Sequence, residues 1–427
     1  MEAAREPSVA PSGAWLLAEC LVAALALVVA WRFQAGLHPI ALIACTALFQ
    51  LALAAVHLRA GIPGDWDVTQ VYRREGNEFL DGSYPNSAYP PGAVVLFALD
   101  VFLGGGPART AHAFVMVPFN VVLVASIWAL RTERSSWLAA VALLAPASVY
   151  YWEYRFDLVP ASLLAAGLVL ARADRWRGAG VLLAVGTWIK WAPALAAAGL
   201  GTWLAATRSR RRIFIGFAAA FMVTMIALHL PFLVWDAGAV VDSMTGQGGR
   251  GLTGESIFYV PLRALGLAEL HESGAFYLEA VRPPWADPAA VAFQAAVVAA
   301  GLVTVALAKT RDHAIAATAL LPAAFLLTNR VFSAQFVLVL TASWLVAGAL
   351  LCRSNRTQLA LGGAIMAALF GNALVFPGLI DAWLVASAWF FLIAVSISAS
   401  LWLPVLRAAL GARAMRGRTA PEPETAV

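Results

Sequence analysis

Apolar runs of about 20 residues recur along the whole length of this chain of 427 residues. A helix of that length is what crosses the ~30 Å hydrocarbon core of a bilayer. Only 12% of the residues are charged, whereas a soluble globular protein has about 25%, and the mean hydropathy is +0.78. The sequence therefore predicts an all-α, polytopic membrane protein.

The apolar runs predict about eleven membrane spans in a single transmembrane domain, residues 1–403. The predicted spans are 14–33, 38–58, 108–130, 137–152, 158–172, 213–234, 288–308, 314–328, 333–351, 357–376 and 380–403. Two further apolar runs fit poorly as single crossings. We interpret 179–204 as a re-entrant helix pair broken by Pro193, since proline interrupts a helix, and 89–104 as a helix lying at the exoplasmic surface.

The charges divide the connectors into two sets. Most of the 29 lysines and arginines lie in the short connectors 131–136, 172–178, 207–212, 309–313 and 352–356 and in the tail 404–427. Because basic loops stay inside, we place these segments in the cytoplasm, with the tail disordered and the amino terminus outside. The first loop, 59–107, and the long loop, 235–287, are then exoplasmic.

The net charge of +5 does not indicate a nucleic-acid partner. The basic residues sit in short loops, where they set topology and meet anionic headgroups of membrane lipids. The three cysteines, Cys20, Cys45 and Cys352, have neither the spacing of a zinc site nor that of a disulfide framework.

The first exoplasmic loop holds the most conspicuous candidate chemistry. Asp65 and Asp67 are followed by Tyr72 and Tyr89, and such aromatic side chains hold a loop at the level of the headgroups. Carboxylates beside a membrane are candidates for function, although a solvated acidic loop is an equal alternative at this point.

Lys190 lies within an apolar run, about ten residues from either flank. A lysine at the centre of a membrane helix costs about 2.5–3.5 kcal/mol even on the insertion scale. A partner, a water-filled cavity or a phosphate group must compensate, and we favour a functional role over snorkelling of the side chain toward water.

Three further groups are candidates for binding. Arg155 and Asp157 belong to an aromatic cluster, 151–157, which is either an interfacial belt or a sugar-binding edge. In the segment 328–336, Arg330 and Gln335 could hold a phosphate, or Arg330 could simply anchor a span. The Gly-rich stretch before Arg250 is either a lid or a plain connection.

These segments resemble the GT-C superfamily of integral-membrane glycosyltransferases, and more narrowly the family-87 α-mannosyltransferases that depend on polyprenol-phosphate-mannose. The resemblance is carried by short motifs in one order and on the predicted faces: Asp67 to Tyr72, Gly82-Ser83-Tyr84, Tyr89-Pro90-Pro91, Asp157, Gly186 to Pro193, and Asn329 to Phe336.

The resemblance implies an inverting sugar transfer on the exoplasmic face of the cell membrane, from a polyprenyl-phosphate sugar to a hydroxyl of a lipid or glycan acceptor. It makes a first-loop aspartate the general base. The tyrosine follows Asp67 by five residues rather than the usual four, so Asp67 and Asp65 both stay candidates.

Roles for the remaining residues follow from the proposed chemistry. Fixed cations stabilise a departing phosphate, and we expect Lys190 and Arg330 in this role, with Arg155 and Arg250 as further candidates. Tyr72, Tyr89, Asp157 and Gln335 are expected to bind the sugar or the acceptor. No cofactor is required, although the loop offers carboxylates to a divalent metal.

Two other classes of protein are compatible with the sequence. A transporter or flippase for a lipid-linked or small polar solute also uses broken helices, but the other half of the chain shows no matching break. A scaffold without activity would leave Lys190 unexplained.

Overall fold

The computed structural model describes most of the chain as helix. The described residues are 39–60, 67–106, 111–132, 142–143, 151, 154–245, 250–272, 278–374 and 383–417. The predicted span 14–33 lies outside them, as do Asp65 and nearly all of the predicted span 137–152.

The first part of the described chain forms a run of helices with short connections. They are α1 (Pro39–Ala60), a π-helix (Asp67–Tyr72) that leads into α2 (Arg73–Leu80), α3 (Pro91–Gly104), α4 (His112–Leu130), α5 (Leu158–Arg172), α6 (Trp176–Ile189) and α7 (Ala192–Ala205).

The second part contains the longest helices and one small sheet. A 3₁₀ turn (Arg208–Arg210) precedes α8 (Arg211–Thr245), and α9 (Tyr259–Ala264) is followed by the antiparallel strands β1 (Glu269–Glu272) and β2 (Leu278–Val281). The remaining elements are α10 (Ala286–Leu307), α11 (Arg311–Leu327), a 3₁₀ turn (Ala334–Phe336), α12 (Val337–Leu351), α13 (Asn355–Ala373) and α14 (Trp383–Gly417).

Five helical segments in the described residues are long and apolar enough to cross a membrane: His112–Leu130, Arg208–Thr245, Ala286–Leu307, Ala334–Leu351 and Leu384–Leu410. Outer helices expose large apolar side chains, such as Val223 of α8, 65% exposed, and Val385 of α14, 75% exposed. A surface of this kind suits lipid rather than water. The chain is thus an α-helical membrane protein, while the total of about eleven spans stays a prediction.

The inner helices form the centre of the bundle. Every residue of α12 except the last is buried. Helix α11 packs against α12, and α7 and α10 pack against other faces of α11. Small residues permit these close approaches: a Cβ on Gly199 of α7 would lie 2.7 Å from Leu321 of α11. Such packing of small residues is how membrane helices associate without a hydrophobic driving force.

Helices α6 and α7 form a hairpin. Helix α6 ends at Ile189, Lys190 is extended with φ −160° and ψ 142°, and Pro193 occupies the first turn of α7, where its missing N–H is harmless. The rings of Trp176 and Trp203, at the far ends of the two helices, lie 5.9 Å apart. The predicted break at Lys190 is therefore confirmed, and both open ends of the hairpin lie on one side.

The basic connectors meet at one end of the bundle, which we call the basic end. Arg172 Nε lies 2.9 Å from Asp312 Oδ1, and Arg311 Nη1 lies 2.6 Å from Asp174 Oδ2. Arg172 also donates to the carbonyl of Leu130 at 3.1 Å. Segments that the sequence placed on one face are therefore physically joined.

The structure corrects the prediction for the tail. Residues 404–427 were expected to be disordered, but α14 continues to Gly417, and 418–427 lie outside the described residues. Val405 and Ala409 are buried, and the alanines, leucines and arginines that follow Pro404 are good helix formers. Packing and propensity together extend the helix.

The long loop 235–287 also contains more regular structure than expected. Helix α8 runs past the predicted span end at 234 to Thr245, with a kink at Asp236, whose φ is −150°. The short sheet of β1 and β2 follows later in the loop. The fold is thus helical apart from this one two-stranded element within the described residues.

Candidate functional site

Asp67 of the first loop forms an ion pair with Arg155. Arg155 Nε lies 3.2 Å from Asp67 Oδ2, and the two side chains are 7% and 24% exposed. Arg155 also donates to the carbonyl of Tyr154 at 2.8 Å. The guanidinium is thus held in the protein while part of the aspartate reaches the surface.

Asp157 and Lys190 form a second ion pair beside the first. Lys190 Nζ donates to Asp157 Oδ1 at 2.6 Å, and the two side chains are 16% and 0% exposed. Asp157 lies directly before α5 and Lys190 at the tip of the hairpin, each about 14 residues from the basic end. At 1.5 Å per residue the pair lies about 21 Å from that end. Asp157 thus provides the compensating partner that a lysine in an apolar segment requires.

The two pairs form one electrostatic cluster. The charge of Arg155 acts on Asp157, and the charges of Arg155 and Asp67 both act on Lys190. We call Asp67, Arg155, Asp157 and Lys190 the charged cluster. It draws its members from the first loop, the start of α5 and the hairpin tip, and it holds two positive and two negative groups.

Aromatic rings surround the charged cluster. Lys190 Nζ lies 4.8 Å from the centre of the Phe156 ring and 5.0 Å from that of Phe336, distances typical of cation–π contacts. Tyr72 is fully buried and stacks on Phe97 with ring centres 4.1 Å apart, and its ring meets that of Tyr89 edge-on at 6.0 Å. The predicted residues Tyr72 and Tyr89 therefore belong to this site.

The hydroxyl of Tyr72 lies within the field of the cluster. Burial raises the pKa of Tyr72 well above its usual value, and nearby Tyr89, Asp67 and Asp157 raise it further. Tyr72 and Asp157 are both fully buried. Direct contact of either with a sugar would therefore require movement of the residues that cover them.

Four buried polar atoms near the cluster have no hydrogen-bond partner within the described part of the chain: Tyr72 Oη, Asp157 Oδ2, Trp188 Nε1 and Gln335 Oε1. Buried polar atoms are usually satisfied, and exceptions need an explanation such as a ligand or an ordered water. Trp188 is a member that sequence reasoning did not select, although its position two residues before Lys190 could have suggested it.

The first loop is held against the hairpin tip at Gly92. A Cβ on Gly92, in the first turn of α3, would lie 2.7 Å from both the ring and the carbonyl oxygen of Trp188. Only glycine permits this approach of the two backbones. The same loop is braced by Glu75, whose Oε2 accepts from Ser87 Oγ at 2.6 Å, and Ser87 Oγ accepts from the amide of Tyr89 at 3.0 Å.

Glu75 has a pKa above the usual range of a glutamate. The side chain is only 2% exposed, and burial raises its pKa to about 7 despite the hydrogen bond from Ser87, which acts in the opposite direction. Sequence reasoning did not select this residue, since nothing in the amphipathic pattern of α2 shows that this glutamate faces inward.

The loop 250–258 lies against the segment 328–336. The amide of Thr253 donates to the carbonyl of Arg330 at 3.0 Å, and Thr253 Oγ1 exchanges hydrogen bonds with the backbone of Phe332. Asn372 of α13 fixes the same segment by donating to the carbonyl of Ala334 at 3.2 Å. Gln335, another predicted binding residue, directly precedes Phe336, whose ring centre lies 5.0 Å from Lys190 Nζ.

The predicted arginines Arg330 and Arg250 are placed by this loop. Asp287 is ion-paired with Arg282 and accepts from the amide of Leu252 at 3.0 Å. Its pKa is lowered, against the effect of burial, mainly by Arg282, and the charge of Arg330 adds to this lowering. Arg250 precedes Gly251, against which the Arg282 guanidinium packs. Among the four predicted phosphate-binding residues, the structure brings Lys190 and Arg155 to the charged cluster and links Arg330 to Asp287.

A buried Asp100–His112 pair lies behind Tyr72. His112 Nδ1 and Asp100 Oδ2 are 2.6 Å apart, and the His112 ring centre lies 5.4 Å from that of Tyr72. This pair links the end of α3 to the start of α4. Within the residues that the structure describes, no three His, Cys, Asp or Glu side chains meet as a metal site would require.

Comparisons with protein-family models and with curated proteins found no match for this chain. The fold by itself defines the class of this protein: an α-helical membrane protein with a charged cluster at the end opposite its basic connectors. The resemblance to glycosyltransferases depends on the short motifs given above, and a function for the cluster is a proposal from its chemistry.

Proposed function

We propose that this protein is an inverting glycosyltransferase that moves a sugar, expected to be mannose, from a polyprenyl phosphate to a hydroxyl of a lipid or glycan acceptor. The reaction would take place on the exoplasmic face of the cell membrane. Asp67 would be the general base, and Asp65, outside the described residues, stays the other candidate.

The observation that supports this proposal best is the charged cluster itself. The Asp67 carboxylate, 24% exposed, lies beside the buried Arg155 guanidinium, and the charges of both act on Lys190, which is 16% exposed. A base needs access to the acceptor, whereas cations that stabilise a leaving phosphate act most strongly when withdrawn from water. The exposures have the expected order, since Arg155, at 7%, and Lys190, at 16%, are both less exposed than Asp67, at 24%.

The chemistry needs only one carboxylate. Asp67 takes the proton of the acceptor hydroxyl while the hydroxyl oxygen forms a bond to the anomeric carbon. The bond from that carbon to the phosphate oxygen breaks, and the polyprenyl phosphate leaves with an additional negative charge. A glycosidase needs a second, protonated carboxyl to help an alcohol leave, but a phosphate departs without one.

The buried polar atoms without partners support a ligand that both donates and accepts hydrogen bonds. The indole of Trp188 only donates, the carboxylate oxygen of Asp157 and the amide oxygen of Gln335 only accept, and the Tyr72 hydroxyl can do either. Sugar hydroxyls, which donate and accept, complement such a mixed set. A simple anion would suit the donors alone.

The proposal is tested with purified protein in proteoliposomes that contain labelled polyprenyl-phosphate-mannose and a lipid extract as a source of acceptors. We expect a labelled glycolipid to form with the wild-type protein and with Asp81→Asn, a matched change at an exposed aspartate of the same loop. Either Asp67→Asn or Asp65→Asn should abolish the product.

Two outcomes would reject the proposal. Product formation that survives both Asp67→Asn and Asp65→Asn would exclude a first-loop base. Movement of labelled donor across the bilayer without any product would instead identify a flippase. Because the donor stays lipid-linked in both cases, chromatography of the extracted lipids and a surface-accessibility assay separate the two functions.

A further inference from the structure

The basic end carries more positive charge than its own ion pairs balance. The connectors 172–178, 207–212 and 309–313 together hold nine lysines and arginines but only two aspartates. Both aspartates already have an arginine partner, in the two ion pairs that join these connectors. The other seven cations, among them Arg210 and Arg211, pair with no carboxylate in the part of the chain that the structure describes.

Arg210 is held in a fixed position by Trp203. Its guanidinium carbon lies 3.7 Å from the centre of the Trp203 ring, and its Nη1 donates to the carbonyl of Trp203 at 3.4 Å. The ring of Trp203 is itself buried, and its Nε1 donates to the carbonyl of Ala308 at 2.9 Å. A guanidinium offers five N–H donors in a planar fork, so Arg210 keeps donors that its contacts with Trp203 do not use.

Arg311 approaches the same aromatic pair from the neighbouring connector. The rings of Trp176 and Trp203 lie 5.9 Å apart, and the guanidinium carbon of Arg311 lies 5.9 Å from the centre of the Trp176 ring. The charge of Arg311 acts on Arg210. An anion on Arg210 would therefore be attracted by a second guanidinium, and a phosphate group suits such forks because its oxygens accept two parallel hydrogen bonds.

Helix α8 presents an apolar stripe that starts from Arg211. Ile215 follows Arg211 by one turn, and Met222 and Ile226 continue on the same helix face. All three apolar side chains are more than half exposed. From Ile215 to Ile226 the stripe is about 16 Å long at 1.5 Å per residue, close to the ~15 Å depth of one leaflet of a bilayer. A cationic head and an apolar stripe thus lie in line, as the two parts of an anionic lipid do.

We propose that the basic end binds an anionic phospholipid at a discrete site, with the phosphate on Arg210 and Arg211 and an acyl chain along Ile215, Met222 and Ile226. Any basic surface attracts an anionic membrane, but here Trp203 fixes the orientation of one guanidinium before the lipid arrives. A free phosphate or an acidic protein would leave the apolar stripe uncovered, and for this reason we favour a lipid. The site does not depend on the proposed transferase function.

Native mass spectrometry of the protein in detergent tests the site with phosphatidylglycerol and with phosphatidylcholine of the same acyl chains. We expect the wild type to bind the first phosphatidylglycerol at least tenfold more tightly than phosphatidylcholine. Arg210→Gln should weaken this binding about fivefold, the effect of one basic side chain at an anionic surface. Arg356→Gln, which removes an exposed arginine from another connector of the same end, should bind phosphatidylglycerol as the wild type does.

Three results would overturn the proposal. Equal losses for Arg210→Gln and Arg356→Gln would show that only the general surface charge matters. Equal affinities of the wild type for the two lipids would exclude recognition of the anionic head. Soluble glycerol phosphate or polyglutamate that competes at the same concentration as phosphatidylglycerol would show that the acyl chain contributes nothing, and that the occupant is a free phosphate or an acidic protein.

Photolabelling locates the site in the unaltered protein. The probe is phosphatidylglycerol with a photoreactive group on one acyl chain, added to protein in phosphatidylcholine vesicles. Labelling should concentrate in residues 215–226 of α8, and excess unlabelled phosphatidylglycerol should suppress it while further phosphatidylcholine should not. Equal labelling of α14, which also exposes large apolar side chains, with no suppression by phosphatidylglycerol, would contradict a discrete site even if Arg210→Gln fails to fold.

Discussion

Lys190 Nζ lies 2.6 Å from Asp157 Oδ1, and this ion pair joins the tip of the α6–α7 hairpin to the start of α5. The aspartate is fully buried and the lysine nearly so. In such a setting the pair stabilises the fold only as a unit, since either charge alone would be left without compensation. The hairpin tip and the charged cluster therefore depend on each other.

Removal of Lys190 should destabilise the protein strongly. Lys190→Met leaves the Asp157 carboxylate buried and unpaired, which costs about 3–5 kcal/mol. Adding Asp157→Asn to the same chain should restore much of the loss, because no buried charge is then left over. The control is Lys309→Met, at an exposed lysine of the basic end, and the measurement is thermal unfolding in detergent. Equal melting temperatures for Lys190→Met and Lys309→Met would contradict the burial of the pair.

Glu75 should make the stability depend on pH. Its pKa is raised from 4.5 in the unfolded chain to about 7 in the fold, so the folded state binds the proton more tightly. The resulting stabilisation is complete below pH 4.5 and is lost as the pH rises through 7. Between pH 5.5 and 8.5 this loss amounts to about 2 kcal/mol.

The variant Glu75→Gln isolates that effect. It keeps an oxygen that can accept from Ser87 but does not titrate, so the wild type should lose stability relative to it as the pH rises from 5.5 to 8.5. Glu269→Gln, at an exposed position, should show no such trend relative to the wild type. A difference between wild type and Glu75→Gln that is constant with pH would exclude the raised pKa.

Gly92 should tolerate no side chain. A Cβ there would lie 2.7 Å from the Trp188 ring and from its carbonyl oxygen, so Gly92→Ala should cost about 1–3 kcal/mol by overpacking. The matched control is Gly363→Ala in α13, where a Cβ would meet nothing within 4 Å. This substitution should stabilise the helix by about 0.5–1 kcal/mol. Similar melting temperatures for the two variants would contradict the contact between the first loop and the hairpin tip.

The two ends of the bundle should face opposite compartments. In a chain whose three native cysteines are replaced by serine, Asp81→Cys should react with an impermeant maleimide added to intact cells. Arg212→Cys should react only after permeabilisation, since basic loops stay inside. Both positions are exposed in the structure. Labelling of the two residues from the same side, or in the reverse order, would refute the predicted sidedness.

The sequence was sufficient to predict those features that depend on local chemistry. Pro193 within an apolar run predicts the break at Lys190, and the runs of arginine predict which connectors lie together, as the contacts of Arg172 and Arg311 then show. The need of Lys190 for a partner also follows from the cost of its charge.

The identity of the partners could not be read from the sequence. Asp157 is 33 residues from Lys190, and Arg155 lies farther still from Asp67. Only the packing of α5 against α6 and of the first loop against the start of α5 decides which charges meet. Burial is equally invisible in a single sequence: nothing in the residues around Glu75 of α2 or Glu255 of the long loop indicates that burial raises the pKa of each to about 7. The helical continuation of α14 shows the opposite case, in which packing orders a tail that composition alone suggested was disordered.

The most direct test of the central proposal is the rate of sugar transfer by Asp67→Asn compared with Asp81→Asn, measured with labelled polyprenyl-phosphate-mannose and a saturating acceptor. Loss of a general base costs about 10²–10⁴ in rate, so Asp67→Asn should lose at least a hundredfold in kcat when it is assayed well below its own melting temperature. Asp81→Asn should keep the wild-type rate. A folded Asp67→Asn protein that transfers mannose as fast as Asp81→Asn would contradict the assignment of Asp67 as the base.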